Sequence, residues 1–216
     1  MVFVLDQTFS IANEFLIQLR DQKIQVDRMR FRQNLERLGT LLAYELSKSF
    51  AFQEHQVKTS LGIAHTHTLS SQPVLIPILR AALPFYQGFL HVFDAADSGF
   101  IGAYRTESTG VEQLTIDMEY MACGNIEGRT VVLIDPMLAT GKSIVQSAEA
   151  LRAYGTPEHL HFVAAIAAPE GIAYIQDKIS GDYSIWTGAI DEKLNDKSYI
   201  IPGLGDAGDL CFGEKV

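Results

Sequence analysis

Cysteine is scarce in this chain: 2 of 216 residues, Cys123 and Cys211, far apart and without metal or redox spacing. That excludes a disulfide framework and a thiolate zinc site, and predicts a reduced, cytoplasmic protein. Long apolar runs are missing as well. No stretch approaches the roughly 18 residues that span a bilayer, and the opening Met1-Val2-Phe3-Val4-Leu5 is too short for a signal-peptide core and meets Asp6 at once. Positive charge is in deficit, with 17 Lys and Arg against 26 Asp and Glu for a net charge of −9. A broad nucleic-acid surface needs the opposite balance, so neither a nucleic-acid nor a membrane partner is expected. Internal repeats, low-complexity tracts and interdomain linkers are also absent. What remains, 47% hydrophobic and 20% charged residues, suffices for one domain over 1–216 with a substantial core.

The most informative stretch is Val131-Val132-Leu133-Ile134-Asp135-Pro136-Met137-Leu138-Ala139-Thr140-Gly141-Lys142-Ser143. Its first four residues, three of them β-branched, predict a buried strand, and the small and hydroxylated run after them predicts a loop opening a helix. Such a loop lets backbone approach an anion, while the helix that follows points unpaired N–H groups and its positive dipole end at the same spot. Asp135, a carboxylate at the strand's end, suits hydroxyls or a metal rather than phosphate. A ligand carrying both phosphate and sugar hydroxyls fits both halves.

Two motifs mislead. Gly141-Lys142-Ser143 resembles the end of Gly-x-x-x-x-Gly-Lys-Ser, but counting back five residues lands on Pro136, which has fixed φ and no N–H to offer. Gly203-Leu204-Gly205-Asp206-Ala207-Gly208 satisfies Gly-x-Gly-x-x-Gly, yet only eight residues follow it. A dinucleotide fold needs a helix, a strand and an acidic residue roughly twenty positions on. A loop with three glycines has another use: its bare backbone can approach a flat base and pair with its edge.

Elsewhere, apolar residues at helical spacing predict amphipathic helices from Phe9 to Leu19 and from Asp27 to about Lys48, where Phe31, Leu35, Leu38 and Leu42 form the stripe. Arg28, Arg30, Arg32 and Arg37 lie on the second helix as a solvated face, a dimer contact or an anion site. Ala51 to Gln72 is polar and carries His55, His65 and His67; His65 with His67, and His159 with His161, would share a strand face, but no Cys or carboxylate accompanies them at ligand spacing, so no metal site is assigned. Strands are expected at Val74–Ile78, Phe100–Tyr104, His161–Ala167 and Ser184–Gly188. Helices are expected from Arg80 to about Phe93, from Ser143 to Tyr154 and from Ala168 to about Ile179. The alternation from 131 to 188 predicts an α/β fold, a central mainly parallel sheet flanked by helices. Thr106 to Asn125, without a dominant period, reads as a mobile lid or hairpin arm.

Asp135-Pro136-Met137-Leu138-Ala139-Thr140-Gly141 with Ser143 resembles the phosphoribosyl pyrophosphate (PRPP) loop of the type I phosphoribosyltransferases, in its uracil-specific form. Pro77-Ile78-Leu79-Arg80-Ala81, Tyr104-Arg105, Ala167 to Ile172 and Tyr199 to Asp209 also resemble that family's motifs, in its order, and the likeness runs from about Leu19 to Gly213. The resemblance implies a PRPP site made by Arg80, Arg105, the loop Asp135, Pro136, Met137, Leu138, Ala139, Thr140, Gly141, Lys142, Ser143, and Asp206. It implies a uracil site in a hood loop at about 195–213, from Ile200, Gly205, Asp206 and Ala207, with Asp135, Asp206 and Arg105 as the catalytic group. It further implies Mg²⁺ bound with PRPP, GTP as an allosteric activator, and a homodimer or larger homo-oligomer. Two departures stand out: Arg105-Thr106-Glu107-Ser108 where an Asn-Glu-Glu-Thr-like run is common, and Lys142 where glycine is common. An RNA-binding regulator of pyrimidine genes on the same fold is the competing reading, resting on the arginines from Arg28 to Arg37. The transferase reading requires the loop after residue 135 and the glycine-rich hook near the C-terminus to face one cleft.

Overall fold

The computed structural model describes residues 1–106 and 115–214, and side chains outside 103–119. In chain order the elements are β1 (Val2–Val4), α1 (Ile11–Arg20), α2 (Arg28–Ser47), β2 (Phe52–Lys58), β3 (Ile63–Leu69), β4 (Val74–Leu79), α3 (Leu83–Leu90), β5 (Asp97–Ser98), β6 (Phe100–Thr106) and β7 (Thr115–Ala122). There follow β8 (Thr130–Ile134), β9 (Met137–Leu138), α4 (Lys142–Leu151), β10 (His159–Ala167), α5 (Pro169–Lys178), β11 (Tyr183–Ile190), β12 (Lys193–Leu194), β13 (Ile200–Ile201) and α6 (Ala207–Phe212).

Nine strands form one sheet whose main path runs β1-β11-β10-β8-β4-β6-β7, parallel except for the β6–β7 pair. Both faces are covered, which is why the central strands read as continuous apolar runs rather than as alternation. Leu75, Val132, Ile134, Val163 and Trp186 point into one core with Phe31, Leu35 and Leu42 of α2 and Phe85 and Phe89 of α3. Their chain neighbours Val74, Ile76, Val131, Leu133 and Phe162 point into the other, with Ile144 and Val145 of α4 and Ile172 and Ile175 of α5. The helices begin where their capping chemistry says: Ser10 forms a capping box at α1, and the Asp27 carboxylate accepts from the N–H groups of Met29 and Arg30 at α2.

The order of strands positions the site. From β4 the chain moves outward to β6, whereas from β8 it moves the opposite way, to β10 and β11. The carboxyl ends of β4 and β8 therefore flank a topological switch point, where open parallel sheets bind ligands.

Several expectations change. The segment from Ala51 to Gln72 is an antiparallel hairpin, β2–β3, almost wholly exposed and outside the main sheet. Its histidines face solvent, and among the described residues no group of three or more metal-ligating side chains occurs. Val2–Val4 adds an edge strand beside β11 that the sequence reading left out. The arm after β6 is a hairpin with β7, with a register shift at Gly102/Ala103; its tip, with Glu107 and Ser108, lies outside the described residues. The hood is not all loop, since Ile200–Ile201 is a strand and Ala207–Phe212 a helix. No helix among the described residues is long and apolar enough to cross a membrane.

His159 and His161 lie at the opposite end of the sheet from the switch point. The Trp186 indole N–H donates to His161 Nδ1 at 3.1 Å and to Ser184 Oγ at 3.0 Å, which requires an unprotonated Nδ1. Burial, with His159 alongside, lowers the His161 pKa from 6.5 to about 3. The neutral imidazole thus contributes stability in full above pH 6.5, and this is lost progressively as pH falls toward 3 while the unfolded chain takes up a proton. His161→Gln is expected to flatten the decline in unfolding free energy between about pH 6.5 and 5, measured by urea titration, a window in which most carboxylates stay charged.

Candidate active site

The loop after β8 is built by backbone pairing rather than by side chains. Asp135 N–H donates to Val163 C=O at 3.0 Å, and the Pro136 carbonyl accepts from Ala165 and Ile166 at 3.0 and 3.2 Å. The chain then pairs briefly with β10 as β9, and Leu138 C=O accepts from Ala168 N–H at 2.9 Å. Gly141 caps α4 in the left-handed region, φ 77° and ψ −9°, and its carbonyl accepts from Val145 N–H at 3.0 Å. A side chain there is excluded twice: by φ, and because a Cβ would stand 2.8 Å from the Gly171 carbonyl oxygen. Gly171, in the first turn of α5, is itself pressed against the Ala139 carbonyl, where a Cβ would collide. Two glycines thus let the loop and a second helix N-terminus meet backbone to backbone.

The result is a small cavity lined by Asp135, Met137, Leu138, Ala139, Thr140, Gly141, Ser143 and Ile144. The first-turn N–H groups of α4 have no intrahelical acceptors and point into this mouth with the positive end of the dipole. Thr140 Oγ1 stands 3.4 Å from the Lys142 N–H, and Asp135 Oδ1 3.4 Å from the Met137 N–H. Lys142 and Pro136 are not part of this lining: Pro136 is buried against β10, and Lys142 contributes its place at the helix start.

Arg80 stands one residue past β4, after a cis Leu79–Arg80 peptide. Since Pro77 pairs with Ile134, the chain leading to Arg80 leaves β4 on the same edge at which β8 leads into Asp135, across the switch point. Its Nη2 donates to the Gly213 carbonyl at 3.2 Å and faces Asp209 Oδ1 at 3.5 Å, and its guanidinium carbon lies 6.0 Å from the centre of the Phe212 ring. Nε is buried and has no hydrogen-bond partner among the described residues. The guanidinium therefore has bonding capacity left beyond its hold on the C-terminal segment.

That segment rises from the end of β11. Ile200 is buried, the Ile201–Pro202 peptide is cis, and Gly203 adopts φ 65°, where a Cβ would collide with the Ile200 carbonyl. Asp206 caps α6, its Oδ1 accepting from Asp209 N–H at 3.0 Å. A Cβ on Gly208 would lie 3.9 Å from Ala81 Cβ and 4.0 Å from Arg80 Nη2, so the start of α6 abuts the β4–α3 loop. Ala207 and Leu204 are buried in the α1–α3 core, while Gly205 and Asp206 are exposed. The phosphate-type loop, Arg80 and the hook all lie at the carboxyl edge of the parallel strands. Arg105 is on β6 opposite Ile116, and its side chain lies outside the described residues.

The arginines of α2 serve the protein itself. Arg32 Nη1 donates to the Cys211 carbonyl at 2.7 Å, Arg28 reaches Gly213, Arg30 Nη1 donates to Gln18 at 3.3 Å, and Arg37 stacks over Phe15 and bonds Asn34. Cys211 is inert among them, its thiol pushed up to about 12 by burial. Sequence reasoning missed Arg20, Gln25 and Asp191, which brace the hook. The partners of Arg20 and Asp191 lie up to 183 positions away, and no local pattern signals them.

The architecture is that of the phosphoribosyltransferases. A hypoxanthine phosphoribosyltransferase from Staphylococcus aureus superimposes with a TM-score of 0.50 over 80% of this chain and 85% of that one, at 13% identity, a likeness of fold alone. A solved protein of Aquifex aeolicus matches over 100% of both chains, with a TM-score of 0.88 and 35% identity. The uracil phosphoribosyltransferase family model matches residues 8–214, and a uracil phosphoribosyltransferase from Porphyromonas gingivalis is 42% identical over 100% of this chain and 99% of its own. The chain belongs to the uracil phosphoribosyltransferase family.

Gly171→Ala must push the loop at Ala139 away from α5. Overpacking of this kind costs about 1–3 kcal/mol, so binding of a phosphate monoester, followed by calorimetry, is expected to weaken on the order of tenfold while the fold persists.

Proposed function

We propose that this chain transfers the phosphoribosyl group of PRPP to N1 of uracil, giving UMP and pyrophosphate. The observation that carries the reading is the placement, on one sheet edge, of an anion-binding helix mouth with a carboxylate at its lip and a side-chain-poor hook beside Arg80. The family membership supports it.

The geometry supports the following roles. The 5′-phosphate sits at Ala139 to Ser143, held by the α4 N-terminus, the Thr140 and Ser143 hydroxyls and the field of Lys142. Asp135, with Pro136, Met137 and Leu138 shaping the approach, faces the ribose hydroxyls. Arg80, through its remaining donors, and Arg105 take up charge on the leaving pyrophosphate. Uracil lies against Ile200, Gly205, Asp206 and Ala207. It offers acceptor, donor, acceptor along O4, N3 and O2, which backbone N–H, C=O and N–H can match. Cytosine would leave two of those partners unpaired, a mismatch that discriminates by orders of magnitude.

As the C1–O bond to pyrophosphate breaks and the N1–C1 bond forms, the sugar passes through an oxocarbenium-like transition state whose positive charge the Asp135 and Asp206 carboxylates stabilise, and the N1 proton leaves to pyrophosphate or solvent. No covalent intermediate on the protein is needed; positioning and electrostatics suffice. Mg²⁺ fits this donor set as an ion that arrives with the diphosphate. Such an ion keeps one or two protein carboxylates and takes its other ligands from phosphate and water, and Asp135 can be one of them. When bound, it neutralises charge on the leaving group. We further propose a cytoplasmic homo-oligomer responsive to GTP, which gel filtration and kinetics with and without GTP address together.

The decisive measurement is UMP formation from uracil and PRPP beside cytosine, hypoxanthine and orotate; turnover of hypoxanthine or orotate but not uracil would defeat the assignment. Asp135→Asn is expected to lower kcat by about 10²–10³, the scale for losing one preorganised electrostatic group, with little change in KM for uracil. Lys142→Gly is expected to raise the PRPP dissociation constant only about two- to fivefold, as for one exposed charge at a helix end. Complete inactivity of Lys142→Gly would show its ammonium to be essential instead.

A further inference from the structure

A partly buried ion pair, with Arg20 half-buried and Asp191 buried, ties the root of the hook to the end of α1. Arg20 grips Asp191 with both terminal nitrogens, Nη1 to Oδ2 at 2.8 Å and Nη2 to Oδ1 at 2.6 Å. The same Nη1 donates to the Gly203 carbonyl at 3.0 Å, and Asp191 Oδ2 accepts from the Gly203 N–H at 2.9 Å. Both backbone polar groups of Gly203 are therefore held by one pair of side chains, of which Asp191 is 8% exposed. Gln25 completes the brace: its Nε2 donates to the Arg20 carbonyl at 2.9 Å, and its Oε1 lies 3.9 Å from where a Gly205 side chain would begin.

Gly203 is the turn between the two halves of the hook. Ile200 precedes it, and Gly205 to Ala207 follow. Its left-handed φ of 65° folds the chain back so tightly that a Cβ there would collide with the Ile200 carbonyl. Resting on the reading of this hook as the base site, we propose that Arg20 and Asp191 are positioning residues for the pyrimidine. Their clamp sets the angle at Gly203, and with it the spacing between backbone groups at Ile200 and those at Gly205 to Ala207.

The physical argument is one of tolerance. Reading a base by backbone N–H and C=O groups works only when those groups are held within about 0.5 Å. A segment rich in glycine does not hold itself there. A buried ion pair adds little net stability over an apolar pair of the same volume, and its best-attested use is to select one arrangement. The charges facing this clamp also include Asp6, whose carboxyl burial raises while Arg20 lowers it and Asp191 raises it again. Removing Arg20 leaves the Asp191 and Asp6 carboxylates to oppose each other, whereas neutralising Asp191 removes that repulsion and keeps an oxygen for the Gly203 N–H.

Asp191→Asn, Arg20→Lys and Arg20→Met in the full chain test this. For Asp191→Asn the KM for uracil is expected to rise about tenfold, and the ratio of kcat/KM for uracil over cytosine to fall in step, since small misplacements cost up to about 100-fold. PRPP affinity, titrated directly, stays within about twofold, because the phosphate loop is untouched. Arg20→Met is expected to be more severe and Arg20→Lys intermediate, an ammonium lacking the guanidinium fork. Hydrogen exchange at the amides of residues 203–207 is expected to accelerate in all three, with or without substrate. A drop in melting temperature with unchanged exchange, KM for uracil and base ratio would reduce the clamp to a structural role and overturn the proposal. Should Arg20→Met fail to fold, Asp191→Asn and Arg20→Lys carry the same readouts. Absence of uracil turnover in the unmodified enzyme would instead refute the functional reading, with hydrogen exchange still deciding whether the clamp holds the hook.

Discussion

The pairing of β4 with β8, in register from Val74 opposite Val131 to Pro77 opposite Ile134, is the constraint on which the site depends. Parallel neighbours end on the same edge, so Arg80 and Asp135 emerge side by side although 55 positions separate them in the sequence. The chain leaves β4 in one direction and β8 in the other, which opens a crevice between their carboxyl ends. A phosphate loop on one strand and a guanidinium on the next then need no special device to converge. Both strands are buried on both faces, so the register cannot slip without moving a whole layer of core side chains.

Electrostatics reconcile an acidic protein with an anionic substrate. The net charge of −9 would repel PRPP at long range, but screening confines that effect to about 8–10 Å. Within the crevice the α4 N-terminus and Arg80 supply local positive potential beside the carboxylates of Asp135 and Asp209. Much of this is backbone rather than side-chain charge, which is why the bulk composition says so little about it. Of the arginines of α2, which look like a basic face in the sequence, Arg32 and Arg28 lie against Cys211 and Gly213 of the C-terminal segment, while Arg30 and Arg37 contact Gln18 and Phe15 of α1.

The legible parts of the fold are those where local pattern and tertiary role coincide. The stripe Phe31, Leu35, Leu38 and Leu42 is fully buried on α2, and Val131 to Ile134 is a buried strand. The β2–β3 hairpin escaped because a strand with both faces in solvent has no apolar alternation to show. Helix α6 escaped because six residues are too few to carry a helical period; it is held by the Asp206 cap and by burial of Ala207 and Cys211. Within the site, the loop from Asp135 to Ser143 was readable because its chemistry is contiguous. Arg20 and Asp191 were not, since each looks like an ordinary surface charge until the fold brings them to 2.6 Å.

The sequence by itself determined the buried strands, a helix opening just after the Thr140-Gly141 turn and the glycine content of the hook, because strand burial, helix capping and left-handed turns depend on neighbours within a few residues. Only the tertiary structure decided that Gly171 would seat the phosphate loop, that Arg80 would hold Gly213, and that one ion pair would grip both polar groups of Gly203. Those are contacts between distant segments, and their energies come into being only when the sheet has placed the partners within hydrogen-bonding reach.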